Sequence, residues 1–324
     1  MSKAQNLADL GNAYSDGALS NRNMIINGDF QVWQRGTTGT AVNGFGMSSA
    51  DRWYAVRTAL NQEVDSYGNP YAHCIAGDYA DSTYVVQKVE QLSKLVGKQL
   101  TLSFKIKSDD GLGANGRILI RYYSSANTWI IVNDTTFTFD TSWGVITKTF
   151  DMGTVAPKAG YGLEFFINGD SSATNNNGKS FDLKEVQLEL GDTATPFEHR
   201  SYGDELARCQ RYFRKFGSDG AQNYIPVSEI GATQDNYRTR ANYLLSPEMR
   251  VTPTLSFNAL ELNNMTLTLQ NPVSNVSVAG SEYSRYGLAL FFHTAIISGQ
   301  AAGQPAFTRV ENSDNGYLYF DAEL

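Results

Sequence analysis

The sequence predicts a mainly β protein: a β-sandwich of the jelly-roll kind, a connecting helix, and a second β domain at the C-terminal end. Three observations carry this. Charged residues make up only 18% of the chain, below the roughly 25% usual for globular proteins, and the difference is filled by 29 Gly, 18 Tyr and 17 Phe with many Asn, Thr and Ser. Aromatic and β-branched residues fit pleated surfaces, while Gly and Asn supply turns. Apolar residues alternate with polar ones in short runs at regular spacing, and only one internal stretch has strong helical periodicity.

Taken in order, residues 1–23 read as an N-terminal segment. Ala4, Leu7, Ala8 and Leu10 form a weak helical stripe limited by Gly11 and Gly17. Such a piece is marginal alone, so it reads either as a frayed terminus or as an attachment and oligomerisation segment. Residues 24–200 read as the sandwich. Leu100, Leu102, Phe104 and Ile106 alternate with polar neighbours, as do Ile118, Ile120 and Tyr122, then Phe137 and Phe139, then Leu163, Phe165 and Ile167. Polar turns separate them at 109–111, 114–116 and 170–179. In the closing strand Phe181 and Leu183 share a face, and the phase then slips to Val186, Leu188 and Leu190. That slip predicts a β-bulge near Lys184-Glu185.

Residues 201–217 read as the connecting helix. Ser201 caps it, Asp204 and Glu205 suit its positive end, and Arg214 and Lys215 suit its negative end. Leu206, Cys209, Phe213 and Phe216 share one face, and Gly217 stops it. Residues 218–324 return to β, with strands expected at Leu255-Phe257, Met265-Leu269, Leu288-Phe292 and Tyr317-Asp321, and with prolines between them.

Formal net charge is −7 with no basic stripe, so nucleic-acid binding through phosphate neutralisation is not expected. No apolar run reaches the ~18 residues that span a bilayer, and the N-terminus lacks the apolar core of a signal peptide. These features predict a soluble protein, made in a cytoplasm and not inserted in membranes. Cys74 and Cys209 lie in unlike contexts, and both are expected as buried thiols. Enzyme signals are poor. The three histidines, His73, His199 and His293, form no metal-ligand motif, and there is no nucleophile elbow, phosphate loop or CxxC. A non-enzyme is expected, although two carboxylates from distant strands could still assemble a glycosidase.

Three stretches carry a resemblance to a known family. The first is Asn21-Arg22-Asn23-Met24-Ile25-Ile26-Asn27-Gly28-Asp29-Phe30-Gln31-Val32-Trp33-Gln34-Arg35-Gly36 with Ala50-Asp51-Arg52-Trp53. The second is Leu183-Lys184-Glu185-Val186-Gln187-Leu188-Glu189-Leu190-Gly191, with Thr195-Pro196-Phe197-Glu198 and Leu206-Ala207-Arg208-Cys209-Gln210-Arg211-Tyr212-Phe213. The third is Met249-Arg250-Val251-Thr252-Pro253-Thr254 with the ending Asp321-Ala322-Glu323-Leu324. Together they resemble phage tail-fibre and receptor-binding proteins that carry a carbohydrate-binding-module-like, galactose-binding-like sandwich.

The resemblance implies a homotrimeric virion protein that binds a bacterial surface glycan during host adsorption. Its partners would be host surface polysaccharide or lipopolysaccharide, and other virion proteins through the N-terminus. A purely structural head-decoration or collar fibre is the alternative. A polysaccharide depolymerase is a further one, against which the lack of a long β-helix repeat argues.

A glycan site needs aromatic faces for sugar rings and polar groups for their hydroxyls. Arg121, Tyr122, Tyr123 and Trp129 are the candidates, where a strand and its following loop place such groups together. Tyr122 is in phase with Ile118 and Ile120 and equally suits the core. Trp33, Trp53 and Trp143 read as core, and Trp129 stays open between core and site. Related sandwiches further imply a structural calcium shared by two such carboxylates with backbone carbonyls, with Asp29 and Asp182 at matching places, since hard oxygen ligands suit that ion. A turn aspartate and a strand-edge aspartate are the plainer reading of the same pair.

Overall fold

The computed structural model describes residues 22–42, 45–77, 83–108, 116–159, 161–168, 178–217, 231–233, 238–258, 260–264, 277–283, 287–293, 305–310 and 317–323. The expected N-terminal helix, the turns at 109–111 and (bar Gly116) 114–116, most of the 170–179 loop and the Met265-Leu269 strand lie outside these residues. The chain divides into two compact units between Glu205 and Leu206.

The first unit is the expected sandwich. In chain order its strands are β1 (Phe45–Met47), β2 (Trp53–Val56), β3 (Thr58–Val64), β4 (Pro70–Ala76), β5 (Tyr84–Val89) and β6 (Gln99–Lys107). They continue as β7 (Gly116–Tyr123), β8 (Trp129–Phe137), β9 (Gly144–Asp151), β10 (Leu163–Asn168) and β11 (Ser180–Leu190). Two antiparallel sheets result, ordered β1-β2-β5-β10-β7-β8 and β3-β4-β11-β6-β9. The crossovers between them make the jelly roll.

Alternation places Leu100, Leu102, Phe104 and Ile106 of β6 and Ile118, Ile120 and Tyr122 of β7 in one buried core. On β11 the register shifts between Lys184 and Gln187, and Glu185 has φ +53°. The expected bulge is therefore present, and it keeps both Phe181-Leu183 and Val186-Leu188 in the core.

The N-terminal signature has a physical explanation in this unit. Asn23 Nδ2 donates to Val186 O at 3.0 Å, while its Oδ1 accepts from the amides of Ile25 and Leu188. Asn27 sits at φ +59°, a region asparagine tolerates, and its side chain bonds Val32 N, Val32 O and Asp51 O. Trp53 is fully buried, donates its indole N–H to Asn27 O at 2.9 Å and stacks on Phe30 at 4.8 Å. Trp33 is buried beside it, so both tryptophans are core as expected.

Trp143 is a correction. It is half-buried on the outer face of the second sheet, with Lys184 Nζ 4.4 Å and Lys107 Nζ 5.7 Å from the ring centroid and Tyr71 against its edge. It stands one residue before β9, where nothing in the sequence fixes which face it takes. Trp143→Ala is therefore expected to cost only about 1 kcal/mol in a urea titration, the scale of exposed cation–π contacts rather than of a core tryptophan.

The helix α1 spans Tyr202–Gln210, with Ser201 Oγ accepting from Asp204 N at 3.2 Å as its cap. It ends seven residues before the expected Gly217. Phe213–Gly217 is instead a strand that pairs antiparallel with Tyr317–Asp321. Two aromatics in five residues suit a pleated surface, and a five-residue ladder outweighs weak helical propensity.

The second unit holds that pair plus Thr254–Asn258 in one sheet. A further antiparallel sheet runs Leu260–Asn264, Pro305–Val310, Gly231–Thr233, Arg238–Leu244, Gly287–His293 and Ser277–Tyr283. Leu318, Phe320, Phe213, Tyr212 and Met249 are buried here. Arg250 donates from Nε to Ala322 O and from Nη2 to Glu323 O, each at 2.8 Å, which ties the third signature stretch to the chain's ending. Cys74 and Cys209 are both buried and in no disulfide, as expected.

Candidate functional site

The outer face of the first sheet combines aromatic rings with charges. On β7 the even residues Ile118, Ile120 and Tyr122 face the core, so Leu119, Arg121 and Tyr123 face outward. Tyr123 pairs in register with Trp129 of β8, and Arg121 pairs with Glu164 of β10. Glu164 in turn stands beside Lys88 of β5. The pleat thus lays these side chains side by side across four strands.

The rings meet closely. Tyr123 contacts Trp129 edge-on at 5.0 Å and stacks on Tyr161 at 5.0 Å with 30° between planes. Trp129 is 43% exposed and Tyr161 45%, a large aromatic area left in water. The Arg121 guanidinium lies 4.0 Å from the Trp129 centroid and 4.7 Å from that of Phe166. Its Nε donates to Glu164 Oε2 at 3.1 Å, and Lys88 Nζ stands 3.8 Å from the other Glu164 oxygen. Arg121 is therefore held in place, and among the described residues its Nη atoms donate to no acceptor. Lys158 Nζ donates to Asn127 Oδ1 at 2.7 Å and lies 5.3–5.4 Å from the Tyr123 and Tyr161 centroids. Flat rings flanked by fixed cations can take the apolar face of a ring-shaped ligand and bond its hydroxyl or acidic oxygens.

Of the four candidates, three come together here: Arg121, Tyr123 and Trp129. Tyr122 does not. It is fully buried, and burial pushes its phenol pKa up. Its hydroxyl donates to Val155 O at 2.8 Å, so it anchors the loop beside the site from within the core. That loop runs along the end of β7, with Lys158 N donating to Tyr123 O and Ser125 N to Ala156 O, each at 2.9 Å. It delivers Lys158 and Tyr161, which the sequence reading did not single out. The usable signal was Gly160-Tyr161-Gly162, an aromatic between glycines in a polar loop. Gly162 is required by close approach, since a Cβ there would lie 2.9 Å from Val89 O.

Asp29 and Asp182, expected to share a calcium, each have other surroundings. Asp182 receives His73 Nδ1 at 2.6 Å and Lys107 Nζ at 3.1 Å, one on each oxygen. Asp29 accepts from Gln31, with His199 and Arg200 near enough to favour its charge. Among the described residues no group of three His, Cys, Asp or Glu could hold a metal ion. A calcium needs several oxygens and no adjacent ammonium, so this donor set does not fit a shared ion.

No protein-family model matches the chain, and no curated protein matches it. Solved structures with similar folds include the CBM22-1 xylan-binding domain of Xyn10C from Paenibacillus barcinonensis, at 13% identity over 48% of this chain and 94% of that one, TM-score 0.33. A CBM4 structure matches at 15% identity over 43% of this chain and 95% of that one, TM-score 0.33. The enzymatically active domain of bacteriophage CBA120 tailspike protein 4 matches at 12% identity over 52% of this chain and 22% of that one, TM-score 0.32.

Proposed function

We propose that this chain binds a bacterial surface glycan through the outer face of its first sheet, as a phage virion protein acting in host adsorption. The observation that carries the reading is the exposed Tyr123-Trp129-Tyr161 cluster between Arg121 and Lys158. Sugar rings stack on aromatic faces, and the Arg121 edge and Lys158 ammonium are placed to bond ring substituents. The resemblance of the Asn21-Gly36, Leu183-Gly191 and Met249-Thr254 stretches to tail-fibre proteins supports a place on the virion, and with it a homotrimer.

Each site would be weak, and three copies on one fibre would hold a cell together, since linked sites gain ~10²–10⁴-fold in avidity. A glycan array probed with the intact chain tests the reading. Bacterial surface polysaccharides or lipopolysaccharides should be retained over unrelated glycans. An array without a single bacterial glycan retained would contradict it.

A further inference from the structure

The first unit holds a second concave feature, away from the aromatic platform. It is a cleft of about 660 Å³ walled by the end of β3, the turn from β3 to β4, the β11 bulge and the approach to α1. Asp29 lines it, is nine-tenths buried, and its Oδ1 has no hydrogen-bond partner. A buried acceptor left unpaired is costly, so one that lines a cleft marks where a donor from outside the chain, water or ligand, can bond.

The other walls say what kind of partner. Gln31, Asn69 and Glu185 offer amide and carboxylate groups, and the Tyr202 ring, 56% exposed, offers a flat face. Lys184 and His199 line the same cleft, and Arg200 stands close to Asp29. A metal ion would meet three cationic or potentially cationic groups, and an anion would meet two carboxylates. A neutral molecule rich in hydroxyls meets neither obstacle. Each hydroxyl both donates and accepts, which matches a wall of mixed donors and acceptors. The volume lies within the range of small-molecule sites. Burial raises the Asp29 carboxyl above its ordinary range despite the bonds it accepts from Gln31 and from its own backbone amide.

We infer that this cleft is a second ligand site, which takes a neutral saccharide of one or two rings with a hydroxyl donating to Asp29 Oδ1 and a ring face on Tyr202.

Calorimetric titration of the full chain with galactose, glucose, N-acetylglucosamine and lactose, in EDTA, tests it. At least one should bind in the millimolar range, and it should still bind Trp129→Ala, where the aromatic platform no longer contributes. Asp29→Asn should lose about tenfold or more, the size of one charge-assisted hydrogen bond. In that variant the amide oxygen can keep the Gln31 bond while a donor replaces the free acceptor, so folding should survive, as a melting curve will check. Tyr202→Ala, at an exposed position, should weaken binding without touching the fold. Failure of all four sugars to bind would overturn the inference, as would binding that needs added calcium or that is as strong in the Asp29→Asn, Trp129→Ala double variant as in Trp129→Ala alone. Binding lost in Trp129→Ala but kept in Asp29→Asn would overturn it too, and would assign the sugar to the aromatic platform.

Discussion

Gly28→Ala is expected to destabilise the first unit by about 3 kcal/mol or more, the upper end of what overpacking costs. A Cβ at this position would lie 2.2 Å from Val186 O, which is backbone and cannot swing aside. Relief requires Gly28 and the bulge of β11 to separate. That motion breaks the 2.8 Å bond from Val186 N to Gly28 O and strains the 3.0 Å bond from Asn23 Nδ2 to Val186 O. Each such bond contributes about 1 kcal/mol, and a buried group left unpaired costs more. Urea titration followed by tryptophan fluorescence reads the result, because Trp33 and Trp53 are buried in the same region. A midpoint equal to wild type would mean that the N-terminal segment does not pack on the closing strand as described.

Much of the fold was legible in the sequence, because period-2 alternation encodes which face of a strand is buried. It placed Leu100 to Ile106, Ile118 to Tyr122 and the β11 bulge correctly. It failed where local pattern and long-range pairing compete. Phe213 and Phe216 sit at helical spacing from Leu206 and Cys209, yet the partner strand at 317–321 claims them. Trp143 failed for a related reason, since a tryptophan next to a strand end carries no phase of its own. The candidate site was half legible. Arg121, Tyr123 and Trp129 fall on one strand and its hairpin neighbour, so sequence proximity implied spatial proximity. Glu164, Lys88, Lys158 and Tyr161 join them only through sheet order and loop placement, which no local window records. Tyr122 shows the limit of residue type as evidence: the pleat turns it inward between two outward-facing site residues.

If the chain acts as the proposed fibre, Trp129→Ala is expected to abolish its adsorption while leaving the fold intact. The indole is 43% exposed at the first position of β8, outside the buried core cluster, so its removal opens no cavity. What it removes is the platform edge: the ring against Tyr123 and the surface on which Arg121 lies. A lost stacking contact is worth ~0.5–1.5 kcal/mol beyond its buried area, or roughly two- to tenfold per site. In the proposed trimer the loss would multiply, because each linked site contributes its own factor to avidity.

The most direct measurement is the affinity of the purified chain for a retained bacterial glycan, by calorimetric titration of wild type and Trp129→Ala side by side, with Trp143→Ala as a second surface tryptophan. Trp129→Ala should lose about tenfold in affinity while staying folded, its melting temperature lower by only about 2–4 °C, and Trp143→Ala should keep wild-type affinity. Unchanged affinity in Trp129→Ala, or a loss confined to Trp143→Ala, would contradict it and move the glycan off this face of the sandwich.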